Sequence, residues 1–328
     1  MDTTTSFDPE VLGLPFYDDG HRRLAHRIGT WCESQSEFWQ NIRGVDPDEA
    51  GRRLVRLLGT AGWLAWLDPA AGPHDLPGDQ RALCLVREAL AYAEDLADFA
   101  FSIQALAATP IIRFGDEQQK KRYLPGLADG SLIGAFAVSE KEAGSDVAAV
   151  GLGAERSGDG YVLNGRKAWI ANGTIADVYV VIARTGEGPG PLGLTAFLVP
   201  ADTPGVLVDE RLEAIAPRSF AHLSFEDCRV SAEAVLGRQG KGFVVAMDLL
   251  GRFRMTVGAA ANGFARKAAD AALAHTKNRD AYGGTLFDLQ LVKASLADME
   301  VQLNAAALLV ARAAWECDQG HRGFTRHS

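Results

Sequence analysis

Cysteine is scarce and unpatterned. Cys32, Cys84, Cys228 and Cys317 stand far apart in the chain, at no spacing that suggests a metal centre or a disulfide framework. This argues against a stapled secreted scaffold and for buried thiols in a reducing compartment. Positive charge is also short, with 33 Lys and Arg against 42 Asp and Glu and a net charge of −9. That balance disfavours nucleic acid or an anionic membrane surface as a partner, while a local basic patch remains able to hold a phosphorylated ligand. The start, MDTTTSFDPE, has neither the basic opening nor the apolar run of a secretion signal. No segment reads as long and apolar enough to span a bilayer, so a cytoplasmic protein is expected. Repeats, low-complexity tracts and long linkers are lacking as well. What the chain does have is core material, since 47% of its 328 residues are hydrophobic, enough for two or three packed units.

The pattern of those residues changes twice. Over residues 18–130 they recur at helical spacing, as at Leu24, Ile28 and Trp31 and again at Leu54, Leu57 and Leu58, with Ala-rich helices expected over 80–112. From 132 to about 235 the runs shorten to strand length, at 133–138, 160–163, 178–183, 194–199 and 221–225, bounded by glycine, proline and acids. The turn signals Gly158-Asp159-Gly160 and 186–191 (GEGPGP) predict antiparallel pairing, the first through a tight connection and the second through a longer one. After Gly242 two long helices are expected, over 243–275 and 285–315. The predicted class is α+β, with an α-helical domain at 1–130, an antiparallel β domain at 131–235 and a further α-helical domain at 236–328.

The stretch most telling about chemistry is residues 136–146, FAVSEKEAGSD. A short apolar strand there runs into hydroxyls, a small-residue turn and an acid. A second marker, WIAN at 169–172, closes another strand-like run. Two such tips offer an aromatic wall for flat rings and donors for carbonyls and phosphates, as an amphipathic ring cofactor requires. Ala143-Gly144-Ser145 lets backbone N–H groups approach an anion, because glycine brings no side chain to block them. Each motif alone has a plainer meaning: Ser139 and Ser145 as residues bonding their own turn, Trp169 as core.

Taken in order, however, the segments closely resemble the acyl-CoA dehydrogenase family of flavoproteins. The likeness includes 114–118 (FGDEQ), 123–125 (YLP), 128–130 (ADG), 160–167 (GYVLNGRK), 197–200 (FLVP), 240–243 (GKGF) and 278–283 (NRDAYG). It implies FAD lying between the sheet domain and the C-terminal helices, with Phe136, Val138 and Ser139 lining its ring and Gly144 and Ser145 holding its diphosphate. Ser145 also matches a position touching the acyl-CoA ligand, and Trp169 and Ala171 match positions at the ring. Arg279 and Gln290 match residues that reach the dinucleotide of a neighbouring subunit, with Tyr282 packing at that contact. A homo-oligomer, dimer or tetramer, is therefore implied, as are an acyl-CoA or acyl-carrier-protein thioester as substrate and an electron-transfer flavoprotein as acceptor. Arg279 has a bland alternative as well, capping carbonyls or pairing on the surface.

The chemistry so implied takes a proton from the carbon beside a thioester while hydride leaves the next carbon for the flavin. It needs a carboxylate base and donors for the developing oxyanion. Here the chain departs from the family. Its last residue, Ser328, precedes the segment that usually carries the catalytic glutamate. The alternative seat, on the helix after GKGF and before an arginine, holds Phe253, with Arg254 kept as a substrate contact. Gly251 stands where an aspartate often bonds pantetheine, and Ala171 replaces a hydroxyl facing the ring, leaving its backbone N–H as a donor. Asp248 is expected as a solvated acid or ion-pair partner rather than a substitute base. Three readings follow: a dehydrogenase whose sequence here is incomplete, which is the expectation; a divergent flavin oxidase or oxygenase; or a non-catalytic partner subunit. The catalytic base is left unassigned.

Overall fold

The computed structural model describes residues 6–71, 78–186, 188 and 190–320. The first five residues, Glu187 and Pro189 of the second turn signal, and the ending 321–328 lie outside them. The chain packs as two compact units, one made of residues 1–43, 75–98 and 252–328 and the other of 44–74 and 99–251.

The first unit is helical. It contains α1 (Pro9–Gly13), α2 (Asp19–Ser34), α3 (Ser36–Ile42) and α5 (Gln80–Ala93), together with the start of a long helix α6 (Asp95–Phe114). The greater part of α8 (Gly242–Asn278) and all of α9 (Gln290–Asp318) complete it. Helix α2 starts where it does because the Asp18 carboxylate accepts from the His21 N–H while the His21 ring accepts from the Asp18 N–H, satisfying donors that the first turn leaves open. Cys84 of α5 packs with Met255 and Ala259 of α8 and Ala313 and Ala314 of α9. Small residues there let the helices approach closely. At Gly263 an added Cβ would lie 2.3 Å from the Glu88 carbonyl oxygen.

The second unit holds α4 (Pro47–Thr60), most of α6, α7 (Glu117–Asp129) and the sheet. Its strands are β1 (Gly134–Ala137), β2 (Gly153–Ser157), β3 (Gly160–Ala171), β4 (Val178–Arg184), β5 (Leu194–Pro200), β6 (Val206–Leu212), β7 (Phe220–Ser231) and β8 (Val235–Leu236). The order is β6-β7-β3-β2-β4-β5-β8, with β1 added alongside β4. Pairing is antiparallel, as the turn signals predict, between β2 and β3, β4 and β5, and β3 and β7. Gly158, at φ 58°, makes the tight β2–β3 turn, a conformation glycine adopts without penalty. The expected all-antiparallel sheet needs two corrections: β1 runs parallel to β4, Gly134 opposite Val178 through Ala137 opposite Val181, and β2 meets β4 in parallel, Gly153 opposite Arg184. Ala135, Ala137, Leu163, Val181, Phe197 and Phe225 form the core on one face.

Two further expectations are revised. Helix α6 does meet the length and mean hydropathy of a membrane span, but 72% of that stretch is buried inside the protein, which is how a core helix satisfies the same criterion. The last helix begins at Gln290, not near 285. Thr285 and Asp288 instead bond each other across a short turn, after a small hairpin of β9 (Asp280–Ala281) and β10 (Gly284–Thr285).

Candidate functional site

In the sheet unit the structure brings the two sequence markers together. The Ala168 N–H donates to the Ser139 carbonyl at 2.8 Å, so the tip of β1 and the end of β3 are direct neighbours. Strand alternation then sorts the side chains. Ala135 and Ala137 are fully buried, while Phe136 between them and Val138 and Ser139 just after them are half-buried. Beyond the tip, Gly144 and Ser145 are exposed. Their N–H groups have no hydrogen-bond acceptor among the described residues, and an added Cβ at Gly144 meets nothing within 4 Å.

Trp169 is not core. Its register against β7 slips between Lys167 and Ile170, and this bulge throws the indole outward, 53% exposed. Its backbone sits at φ 56°, a left-handed conformation that costs a large side chain about 1–2 kcal/mol. The strain is held by its neighbours. The Trp169 N–H donates to His222 Nδ1 at 3.2 Å, and the His222 ring meets the indole edge-on, centroids 5.8 Å apart. Asn172, also left-handed at φ 58°, is buried and donates to the Gly134 carbonyl. Gln104 of α6 accepts from the Gly134 N–H at 3.0 Å, fixing β1 from behind. Ala171, half-buried, faces Phe220 across the β3–β7 pair.

Sequence reasoning overlooked what lies beneath. Lys167 is wholly buried, and its Nζ donates to Glu140 Oε1 at 2.8 Å and to the Val138 carbonyl at 3.0 Å. Glu140 also accepts from the Gly151 N–H at 2.8 Å and the Leu152 N–H at 2.9 Å. Burial alone would raise the Glu140 carboxyl, but the Lys167 charge and these hydrogen bonds outweigh it and hold it below its usual value. Burial draws the Lys167 ammonium down to about 8, against the pull of Glu140. The one available signal was a glutamate within 136–146 and a lysine at the end of 160–167, just before WIAN, each next to an apolar run.

The remaining candidates fall in the helical unit. Arg254 is exposed on α8, two residues before the buried Thr256, whose hydroxyl accepts from Arg87 at 2.9 Å. Arg87 in turn makes a two-pronged pair with Asp98, both contacts 2.8 Å. Phe253 is buried, 5% exposed. Arg279 and Gln290 are exposed, flanking the hairpin on which Tyr282 stands 94% exposed. Asp248, in the sheet unit, is an ion-pair partner as expected, accepting from Arg113. A surface cleft of about 240 Å³ beside Arg122, Tyr123 and Arg229 contains none of these candidates and has no exposed aromatic wall comparable to Trp169.

Family models for the acyl-CoA dehydrogenase N-terminal, middle and C-terminal domains match residues 19–131, 135–228 and 240–326. The short-chain specific acyl-CoA dehydrogenase of Mus musculus is 38% identical over 280 residues, 84% of this chain and 67% of that protein. The chain belongs to the acyl-CoA dehydrogenase family.

That makes it a member of a family of FAD-dependent oxidoreductases. Among solved structures, a glutaryl-CoA dehydrogenase from Mycobacterium smegmatis in complex with FADH2 superposes with a TM-score of 0.78 at 27% identity, covering 93% of this chain and 78% of that one. The prolyl acyl carrier protein oxidase AnaB gives 0.83 at 26% identity, with 94% and 82% covered. The chain spans 50–67% of the length of the mammalian and mycobacterial relatives it matches. The surface around Trp169 fits the family's cofactor on its own evidence: a strained, exposed indole, an adjoining half-buried apolar strip, and unclaimed N–H donors at an open glycine.

Proposed function

We propose that this protein binds FAD and catalyses α,β-dehydrogenation of an acyl thioester. The observation that carries the reading is the exposed, left-handed Trp169 beside Ser139 and the open Gly144-Ser145 turn, in a chain of this family. Phe136, Val138, Trp169 and Ala171 would wall the ring system. The Ser139 hydroxyl would bond its polar edge, and the Gly144 and Ser145 N–H groups would take the diphosphate. When bound, FAD supplies the hydride acceptor. The protein's own work is to hold the acyl group against that surface and keep water out, with Ser145 and Arg254 as thioester contacts. Neither Phe253 nor Gly251 can move a proton, so the α-proton base is not assigned. Arg279, Tyr282 and Gln290 are read as contacts to the cofactor of a second copy, which makes a homo-oligomer part of the proposal. An electron-transfer flavoprotein is the proposed acceptor.

The test is spectroscopic. Purified protein should carry, or take up, FAD with its visible absorbance, and anaerobic addition of a saturated acyl-CoA should bleach it. A second reading, oxidation of a carrier-bound acyl group, is favoured by the likeness to AnaB and by Gly251 in place of a pantetheine-bonding acid. Hydrogen peroxide release with a carrier-bound substrate, and no bleaching by acyl-CoA, would select it. A folded protein that never takes up flavin would point to a non-catalytic partner subunit.

A further inference from the structure

A buried ion pair is weak evidence for stability, since desolvation offsets most of its attraction and apolar replacements of equal volume are often as stable. The Glu140–Lys167 pair needs another explanation, and its connections supply one. The Glu140 carboxylate joins the residue that enters the 141–150 segment to Gly151 and Leu152, which leave it. Both ends of the stretch bearing Gly144 and Ser145 are therefore tied to one buried group. The Lys167 ammonium ties that group to the Val138 carbonyl, next to Ser139. Arg184 holds the far side of the segment through the Ala148 and Val150 carbonyls. Glu140 is the charged group that faces Lys167, and across the sheet Lys167 stands opposite the apolar Leu223.

We propose that Glu140 and Lys167 are positioning residues for the flavin, and that the ammonium form of Lys167 is the one that holds the 138–151 segment in its FAD-binding arrangement. This rests on the FAD reading above. The consequence is a proton-linked affinity. With the lysine titrating at about 8, FAD affinity is flat below that pH and falls about tenfold per unit above it. FAD itself has no group titrating between pH 7 and 9. The effect of Lys167 on folding runs the other way. Its folded pKa lies below the unfolded value of 10.5, so the unfolded chain binds more protons in that interval and the stability of the apoprotein rises with pH. A merely structural role would move affinity and stability together.

The experiment compares the full-length wild type with Lys167→Met, Glu140→Gln and the double variant Glu140→Met/Lys167→Met, the last keeping an apolar filling where single variants strand a charge. FAD affinity by fluorescence quenching from pH 6.5 to 9.5, thermal unfolding of each apoprotein, and hydrogen exchange of residues 141–150 without FAD are measured. Expected are a roughly tenfold loss of wild-type affinity between pH 7.5 and 9, a folded double variant binding at least tenfold more weakly at pH 7 with no pH dependence, and faster exchange of 141–150 in that variant. A double variant with wild-type affinity, pH profile and exchange would overturn the inference while leaving the FAD reading intact. No FAD uptake by wild type at any pH would remove both.

Discussion

Trp169 carries two opposed demands at one residue: its backbone is strained, and its side chain is solvent-exposed at a cost that a monomeric apoprotein gains nothing from. Replacing it separates them. Trp169→Ala should lower FAD occupancy without unfolding the chain, because the indole contributes no buried core. Trp169→Gly should lower occupancy equally while raising the stability of the apoprotein by about 1 kcal/mol, since glycine adopts positive φ at little cost. Equilibrium dialysis with FAD and denaturant titration of the apoprotein measure the two effects, and unchanged occupancy would remove the indole from the site. A second residue outside the site is poised differently. Glu88 of α5 is buried, with Arg266 at 3.7 Å and a cavity of about 10 Å³ between them and Tyr17, room for one water. Burial lifts its carboxyl from 4.5 to about 7, despite Arg266, and the nearby Asp8 adds to the rise. Between those values the folded protein keeps a proton that the unfolded chain has lost, so its contribution is full below pH 4.5 and is lost as pH rises through 7. Unfolding free energies of wild type and Glu88→Gln, followed from pH 4.5 to 8, should diverge by on the order of 3 kcal/mol. Parallel curves would show that Glu88 is already ionised in the fold.

At the scale of elements, legibility followed burial pattern. Strands β4 and β5 are buried along nearly their whole length and were read from their apolar runs. Strand β6 is exposed along its interior, and β2 carries Glu155, Arg156 and Ser157 in the open, so neither shows the alternation that a half-buried strand requires. The site divides the same way. Its tips were visible as local motifs, whereas Lys167 and Glu140 are 27 residues apart and meet only through the pairing of β1 and β3 with the sheet. The outward turn of Trp169 came from a register slip, which no spacing rule marks. Helix packing supplies a test at this scale. Gly263 brings α8 onto α5, and a methyl group there would sit 2.3 Å from the Glu88 carbonyl oxygen and 3.0 Å from the Ala91 side chain. Because a backbone atom cannot swing away as a side chain can, Gly263→Ala should destabilise by about 1–3 kcal/mol, although alanine favours a helix by about 1 kcal/mol over glycine. A variant more stable than wild type in a urea titration would show that the two helices are free to separate.

For the molecule as a whole, α9 poses the remaining physical question. Its Leu303, Ala307, Ala311 and Ala314 form a buried stripe at helical spacing, yet Val301, Leu308 and Leu309 on the same helix are 67%, 40% and 53% exposed. Leu291, nearer its start, is 82% exposed, and Val257 of α8 is 57% exposed. An amphipathic helix in contact with water on its outer side would place polar residues there. Each leucine fully withdrawn from water contributes about 1.5–3 kcal/mol, so two of them suffice to change an association constant by more than a hundredfold. The homo-oligomer proposed from Arg279, Tyr282 and Gln290 gives these side chains a partner in a second copy. Sedimentation velocity should then show concentration-dependent association of the wild type. The double substitution Val301→Lys/Leu309→Lys should shift it to the monomer while leaving the far-ultraviolet circular dichroism unchanged, because neither side chain belongs to the buried stripe. If the wild type sediments as a monomer over the whole accessible concentration range, a second copy does not cover this face, and the reading of Arg279, Tyr282 and Gln290 as contacts across subunits fails with it.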